Sequence, residues 1–253
     1  MPKYLPEEFF RWASKPHGRT LFPLLIILVF MCLSCSEKGP VEKNIQIEKI
    51  MEQVSTSRMS STIKDLVRFE TRYPHEKQIQ AADYLFKRMS QYVPDTRYHE
   101  YEHWGVLWRN VVGTIRGTKN PEQVIIVCAH MDSKSEKRLV YAPGADDNAS
   151  GCAAVLEIVR LLTGHDFEKT IRFVIFSREE DGQDGSKAYV KDLAKGNEKI
   201  VAAISLDMIA FGSAQEDIDL VTRPSYAWLV ESVHDIGMTY GFNTKKVIKK
   251  ACY

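Results

Sequence analysis

A chain of 253 residues with 44% hydrophobic and 26% charged side chains is long enough for one large α/β domain behind an N-terminal leader. A formal charge of +1, with no basic stripe, internal repeat or low-complexity tract, argues against nucleic acid or a strongly acidic surface as partner. Cysteines at 32, 35, 128, 152 and 252 show CxxC spacing only inside the leader, so they imply neither a thiolate metal site in the body nor a disulfide framework.

The leader comes first. Residues 21–34 are apolar up to Ser34, follow Arg11, Lys15 and Arg19, and run into Cys35-Ser36-Glu37-Lys38-Gly39-Pro40. The stretch is shorter than the roughly 20 residues of a bilayer-spanning helix and matches the hydrophobic region of a signal peptide. Ser34-Cys35 looks like the cleavage point of a bacterial lipoprotein, with lipid on Cys35, although Cys32 stands where the usual leucine is expected. The expectation is export, with the body outside the cytoplasm and held to the membrane by lipid or by an uncleaved anchor. Residues 1–35 are then signal peptide or anchor, 36–45 a polar tether, and 46–253 the catalytic domain.

Helical spacing begins at Ile47, Ile50, Met51 and Val54 and resumes at Ile63, Leu66 and Val67. A third helix is expected over 76–92, where Ile79, Ala82, Leu85, Phe86 and Met89 share a face and Pro94-Asp95 ends it. The period then changes. Strands are expected at 110–115, 124–128, 171–176 and 200–206, with helices over 148–163 and near 185–194. Alternating strands and helices predict an α/β fold with a mixed, largely parallel central sheet sandwiched by helices. In such folds ligand sites gather where the strands deliver their C-terminal ends.

Polar residues sit at those ends. His130-Met131-Asp132 follows the second strand, Glu179-Glu180 the third and Asp207 the fourth, while Gly144-Ala145-Asp146-Asp147-Asn148-Ala149-Ser150-Gly151 opens a helix. His130 with Asp132 suits a metal ligand and the carboxylate that orients its ring, though such a pair is weak evidence alone. Asp147 or Asn148 could simply cap the following helix, but that leaves Asp146 and the glycines unexplained. Two adjacent glutamates after a buried strand repel one another unless metal or protons compensate, which suggests one ligand and one base. Asp207 would be costly without a counter-charge. Imidazole and carboxylates without thiolate suit zinc, with manganese or cobalt left open.

These blocks resemble the zinc-dependent exopeptidase family that contains the bacterial leucyl-type aminopeptidases, glutamate carboxypeptidase and glutaminyl cyclase. The resemblance covers about residues 60 to 250, and Glu179-Glu180-Asp181-Gly182 with Gly185-Ser186 is similar to the family's Glu-Glu-x-Gly-x-x-Gly-Ser signature. It implies metal ligation by His130, Asp147, Glu180 and Asp207, with Asp147 bridging two zinc ions, and catalysis by Glu179 as general base beside Asp132. The implied activity is aminopeptidase-like hydrolysis of a peptide substrate. A glutaminyl-peptide cyclotransferase and an inactive, receptor-like relative are the alternatives.

One piece is out of place. The family's second metal also takes a histidine from near the C-terminus, whereas only His234 follows Asp207 here. Trp228–Ile236 has helical spacing, so His234 is expected on a helix surface rather than on the metal. The expectation is therefore a truncated or split reading frame that lacks the last strand and helix and binds one zinc where a complete site binds two.

Overall fold

A computed structural model describes residues 42–211 and 218–249. The elements are α1 (Ile45–Met51), α2 (Thr56–Val67), α3 (His75–Met89), β1 (Thr96–His103), β2 (Val106–Ile115), β3 (Asn120–His130), α4 (Gly151–Leu162), β4 (Lys169–Phe176), α5 (Asp184–Leu193), β5 (Lys199–Ser205), β6 (Ile218–Thr222), α6 (Ala227–Thr239) and β7 (Thr244–Ile248). The expected leader and most of the tether lie outside the described residues. No helix among the described residues is long and apolar enough to cross a membrane.

Two compact units emerge, the larger running from Ser57 to Ala210. Its sheet has the order β1-β2-β4-β3-β5. The β4-β3-β5 half is parallel, and β2 and β1 join it antiparallel, so the sheet is mixed with half its pairings parallel. The apolar runs that suggested strands are the parallel centre: Val124, Ile125 and Val127 of β3 and Ile171, Phe173, Val174 and Ile175 of β4 have no exposed surface. Burial on both faces is what lets such strands be continuously apolar.

Alternation divides that surface between two helical layers. Val112, Val124, Ile126, Cys128 and Val174 pack against Tyr189 and Leu193 of α5. The opposite side, which carries Gly113, lies under Met89 of α3, and α4 runs against β3 and β4. The third helix stops at Met89 rather than 92, and the helix expected from 148 begins at Gly151 after a wide turn over Ala145–Ser150. Strand β1 was not anticipated. It lies at an edge with mostly half-exposed residues, so its sequence alternates polar groups with no apolar run to mark it.

The smaller unit combines α1 with the chain from Phe211 onward. Here β6 and β7 pair in parallel, and Ile47, Ile236 and Phe242 form a core with Met51, Ile218 and Tyr240 against it. His234 is half-buried, not on an open helix surface, and its Nδ1 lies 2.7 Å from Thr244 Oγ1.

Candidate active site

Because β3, β4 and β5 run in one direction, their C-terminal ends share one edge of the larger unit. His130 is the last residue of β3 and is 3% exposed. Its Nε2 lies 3.2 Å from Asp147 Oδ1 and 3.5 Å from Asp207 Oδ1. One ligand atom from each of the three falls within 4.8 Å of the others, the arrangement a single metal ion would need. Both carboxylates are about half exposed, so the group opens to solvent above a buried imidazole.

Asp132 lies beneath. It is 1% exposed, and its Oδ1 is 3.5 Å from His130 Nδ1. Its two oxygens accept the backbone N–H groups of Glu179 and Glu180, each at 3.0 Å. One carboxylate thus orients the imidazole and fixes the glutamate pair against the end of β3. Among the described residues His130 Nδ1 is buried with no hydrogen-bond partner, and Asp132 is the carboxylate that faces it.

Electrostatics fits a cation. Burial opposes a charged His130 ring, but Asp132, Asp147 and Asp207 overcome it and push the group far above its ordinary value. A divalent ion meets the same demand for positive charge. Burial and then the Asp147 charge push the Glu180 carboxyl up to about 7. Burial also raises Glu179, against the lowering effect of His130. Nitrogen and oxygen donors without thiolate suit zinc, and the residues present fit it. The Asp147 charge acts on Glu180, yet among the described residues no second imidazole joins the two as a further group of three.

The turn bearing Asp147 requires its glycines. Gly144 has φ +49°, and a Cβ there would collide with the Asp147 carbonyl and the Ser133 side chain. A Cβ on Gly151 would strike the Leu206 carbonyl oxygen, where α4 starts against the end of β5. The Asp147–Asn148 peptide is cis.

Sequence reasoning missed Arg72. It is 1% exposed and donates from Nε to Met131 O (2.7 Å), from Nη1 to Pro143 O (2.6 Å) and Leu66 O (3.2 Å), and from Nη2 to Gly144 O (2.8 Å). It therefore ties the loop after His130 to the turn that carries Asp147. Burial lowers its pKa, while Asp132 and Asp147 are among the groups that oppose the shift. An arginine in a polar link between two helices gives no sequence sign of this, since all its partners but Leu66 are far along the chain. Arg72→Ala is expected to cost about 3 kcal/mol or more, because it leaves buried carbonyls unpaired and opens a cavity. Urea unfolding would measure it, and a loss under 1 kcal/mol would show that water replaces the guanidinium.

The profile for Peptidase family M28 matches residues 110–250. Leucine aminopeptidase 1 of Coccidioides posadasii is 27% identical over 225 residues, which cover 79% of this chain and 57% of that protein. This chain therefore spans little more than half the length of that relative. The LapA aminopeptidase of Legionella pneumophila shares the fold at TM-score 0.66 and 18% identity, over 87% of this chain and 62% of its own. A glutaminyl cyclase of Tannerella forsythia does so at TM-score 0.61 and 21% identity, over 78% of each chain.

Proposed function

Since the chain belongs to peptidase family M28, we propose that it acts as an exported, zinc-dependent aminopeptidase that removes N-terminal residues from peptides. The observation that carries this reading is the convergence of His130, Asp147 and Asp207 above Asp132, whose oxygens hold the Glu179-Glu180 backbone. Zinc held by the three would supply Lewis-acid activation of water and of the scissile carbonyl. Asp132 orients the His130 ring from below and sets Glu179 beside the reacting groups. Glu179 takes the proton from the attacking water and delivers it to the departing amine. Glu180, close to Asp147, is the protein's donor toward a second ion.

The family and its leucine aminopeptidase relatives favour peptide hydrolysis over cyclisation of N-terminal glutamine. An aminoacyl-anilide series assayed beside a glutaminyl peptide tests the choice. Release of the free aniline with no pyroglutamyl product is expected, and the reverse pattern would reject the peptidase reading.

Localisation follows the leader. The apolar run before Cys35 supports export and lipid attachment at that cysteine. Cys35→Ala is expected to move the protein from the membrane to the soluble fraction if lipid on that cysteine is what holds it there; among the described residues no helix is long and apolar enough to cross a membrane. Unchanged membrane association on fractionation would point instead to an uncleaved N-terminal anchor.

A further inference from the structure

Asp147 reaches toward His130, but its alternate neighbours Asp146, Asn148 and Ser150 point elsewhere, and all three grip one short segment. Asn148 Nδ2 donates to Leu206 O at 2.9 Å. Ser150 Oγ accepts the Ile209 N–H at 3.1 Å, and Asp146 Oδ1 accepts the Ala210 N–H at 2.8 Å. The contacted residues bracket Asp207 on both sides.

The grip is itself braced. Ser150 Oγ donates to Asp146 O at 2.7 Å, and Asn148 Oδ1 accepts the Gly151 N–H at 2.9 Å. Asn148 and Ser150 have no exposed surface. The gripped segment needs such support. It lies beyond the end of β5, its Met208 takes a left-handed φ of +49°, and the Asp207 side chain is half exposed. Leu206 N still donates to Cys128 O at 2.8 Å, but the sheet ladder stops there.

We infer that Asp146, Asn148 and Ser150 form a clamp that fixes Asp207 relative to Asp147, so that both carboxylates meet the His130 imidazole at one distance from a single ion. These are positioning residues. The inference rests on the proposed metal role of His130, Asp147 and Asp207. Groups that hold ligands in place typically contribute 10- to 100-fold to metal affinity.

The test uses the full 253-residue chain, stripped of metal, and zinc affinity measured by competition with a chromophoric chelator. Asp146→Ala and Ser150→Ala are each expected to weaken zinc about tenfold or more at a temperature where the zinc-free variants remain folded, even though the lost hydrogen bonds lower their thermal midpoints. Asp146→Asn keeps an oxygen to accept the Ala210 N–H and should bind within about threefold of the unmodified protein. Should Asp146→Ala fail to fold, Ser150→Ala carries the same test, since it removes a single hydroxyl. Unmodified protein that binds zinc, with both alanine variants binding it equally well, would overturn the clamp and spare the metal reading. Equal losses for Asp146→Ala and Asp146→Asn would assign the effect to charge and overturn the clamp as well. Unmodified protein that binds no zinc would overturn both.

Discussion

Glu179→Gln is expected to lower the hydrolytic rate by about 10²- to 10⁴-fold, the usual contribution of a positioned general base, while zinc content stays that of the unmodified protein. Glutamine keeps the size and shape of the side chain, and the backbone N–H that Asp132 accepts is untouched. What is lost is the ability to take a proton from water. The half-buried carboxyl already sits above the ordinary glutamate range, chiefly through burial, which brings its affinity for a proton nearer to what the reaction needs. Glu180→Gln provides the contrast. Its carboxyl interacts first with the Asp147 charge after burial, so its loss should weaken metal binding near Asp147 rather than remove the base. Paired measurements of turnover and elemental zinc on the two variants decide the assignment. Equal metal loss in both, or unchanged turnover in Glu179→Gln, would show that the roles are wrongly divided.

Much of this site could be read in the sequence because of where its residues fall. Val124–Cys128 is apolar on both sides of the pleat and Ile171–Phe176 is so apart from Arg172, so they must be central strands, and polar residues just past them must gather at one edge. His130, Glu179 and Glu180 follow from that, and Asp207 follows in the same way from the strand expected over 200–206. Asp132 was legible through its spacing from His130, but its second task, accepting the Glu179 and Glu180 N–H groups, was not, because it joins residues 47 and 48 positions away.

The supporting residues were less legible for a related reason. Asp146 resembled a spare carboxylate beside Asp147, yet it accepts the Ala210 N–H 64 residues downstream. Arg72 stands in Glu70-Thr71-Arg72-Tyr73, which reads as solvated, and is buried because backbone carbonyls of Leu66 nearby and of two distant segments, at Met131 and at Pro143-Gly144, need a donor. Burial of a polar group depends on partners that local pattern does not contain. Strand β1 escaped notice for the opposite cause: Thr96–His103 borrows its order from pairing with β2 and carries little apolar signal of its own.

Loaded with zinc and dialysed, the 253-residue chain is expected to retain one ion, and His130→Ala to retain none. The first half follows from the donor count. His130, Asp147 and Asp207 offer a nitrogen and two oxygens within 4.8 Å of one another, whereas Glu180 near Asp147 gains no second imidazole among the described residues. Two carboxylates alone suit zinc poorly compared with a set that includes imidazole. The second half follows from burial. His130 is the buried donor of the three, its ring faces Asp132 on one side and both other donors on the opposite side, and alanine leaves two half-exposed carboxylates without the imidazole nitrogen that zinc prefers. Thermal unfolding supplies an independent readout, since a ligand at 100 times its Kd stabilises the folded state by about 2.7 kcal/mol. Zinc should therefore raise the midpoint of the unmodified protein and leave that of His130→Ala unmoved. Two tightly held ions per chain would mean that another donor completes the ground around Glu180. A zinc-dependent midpoint in His130→Ala would place the metal away from this cluster and remove the basis for the proposed chemistry.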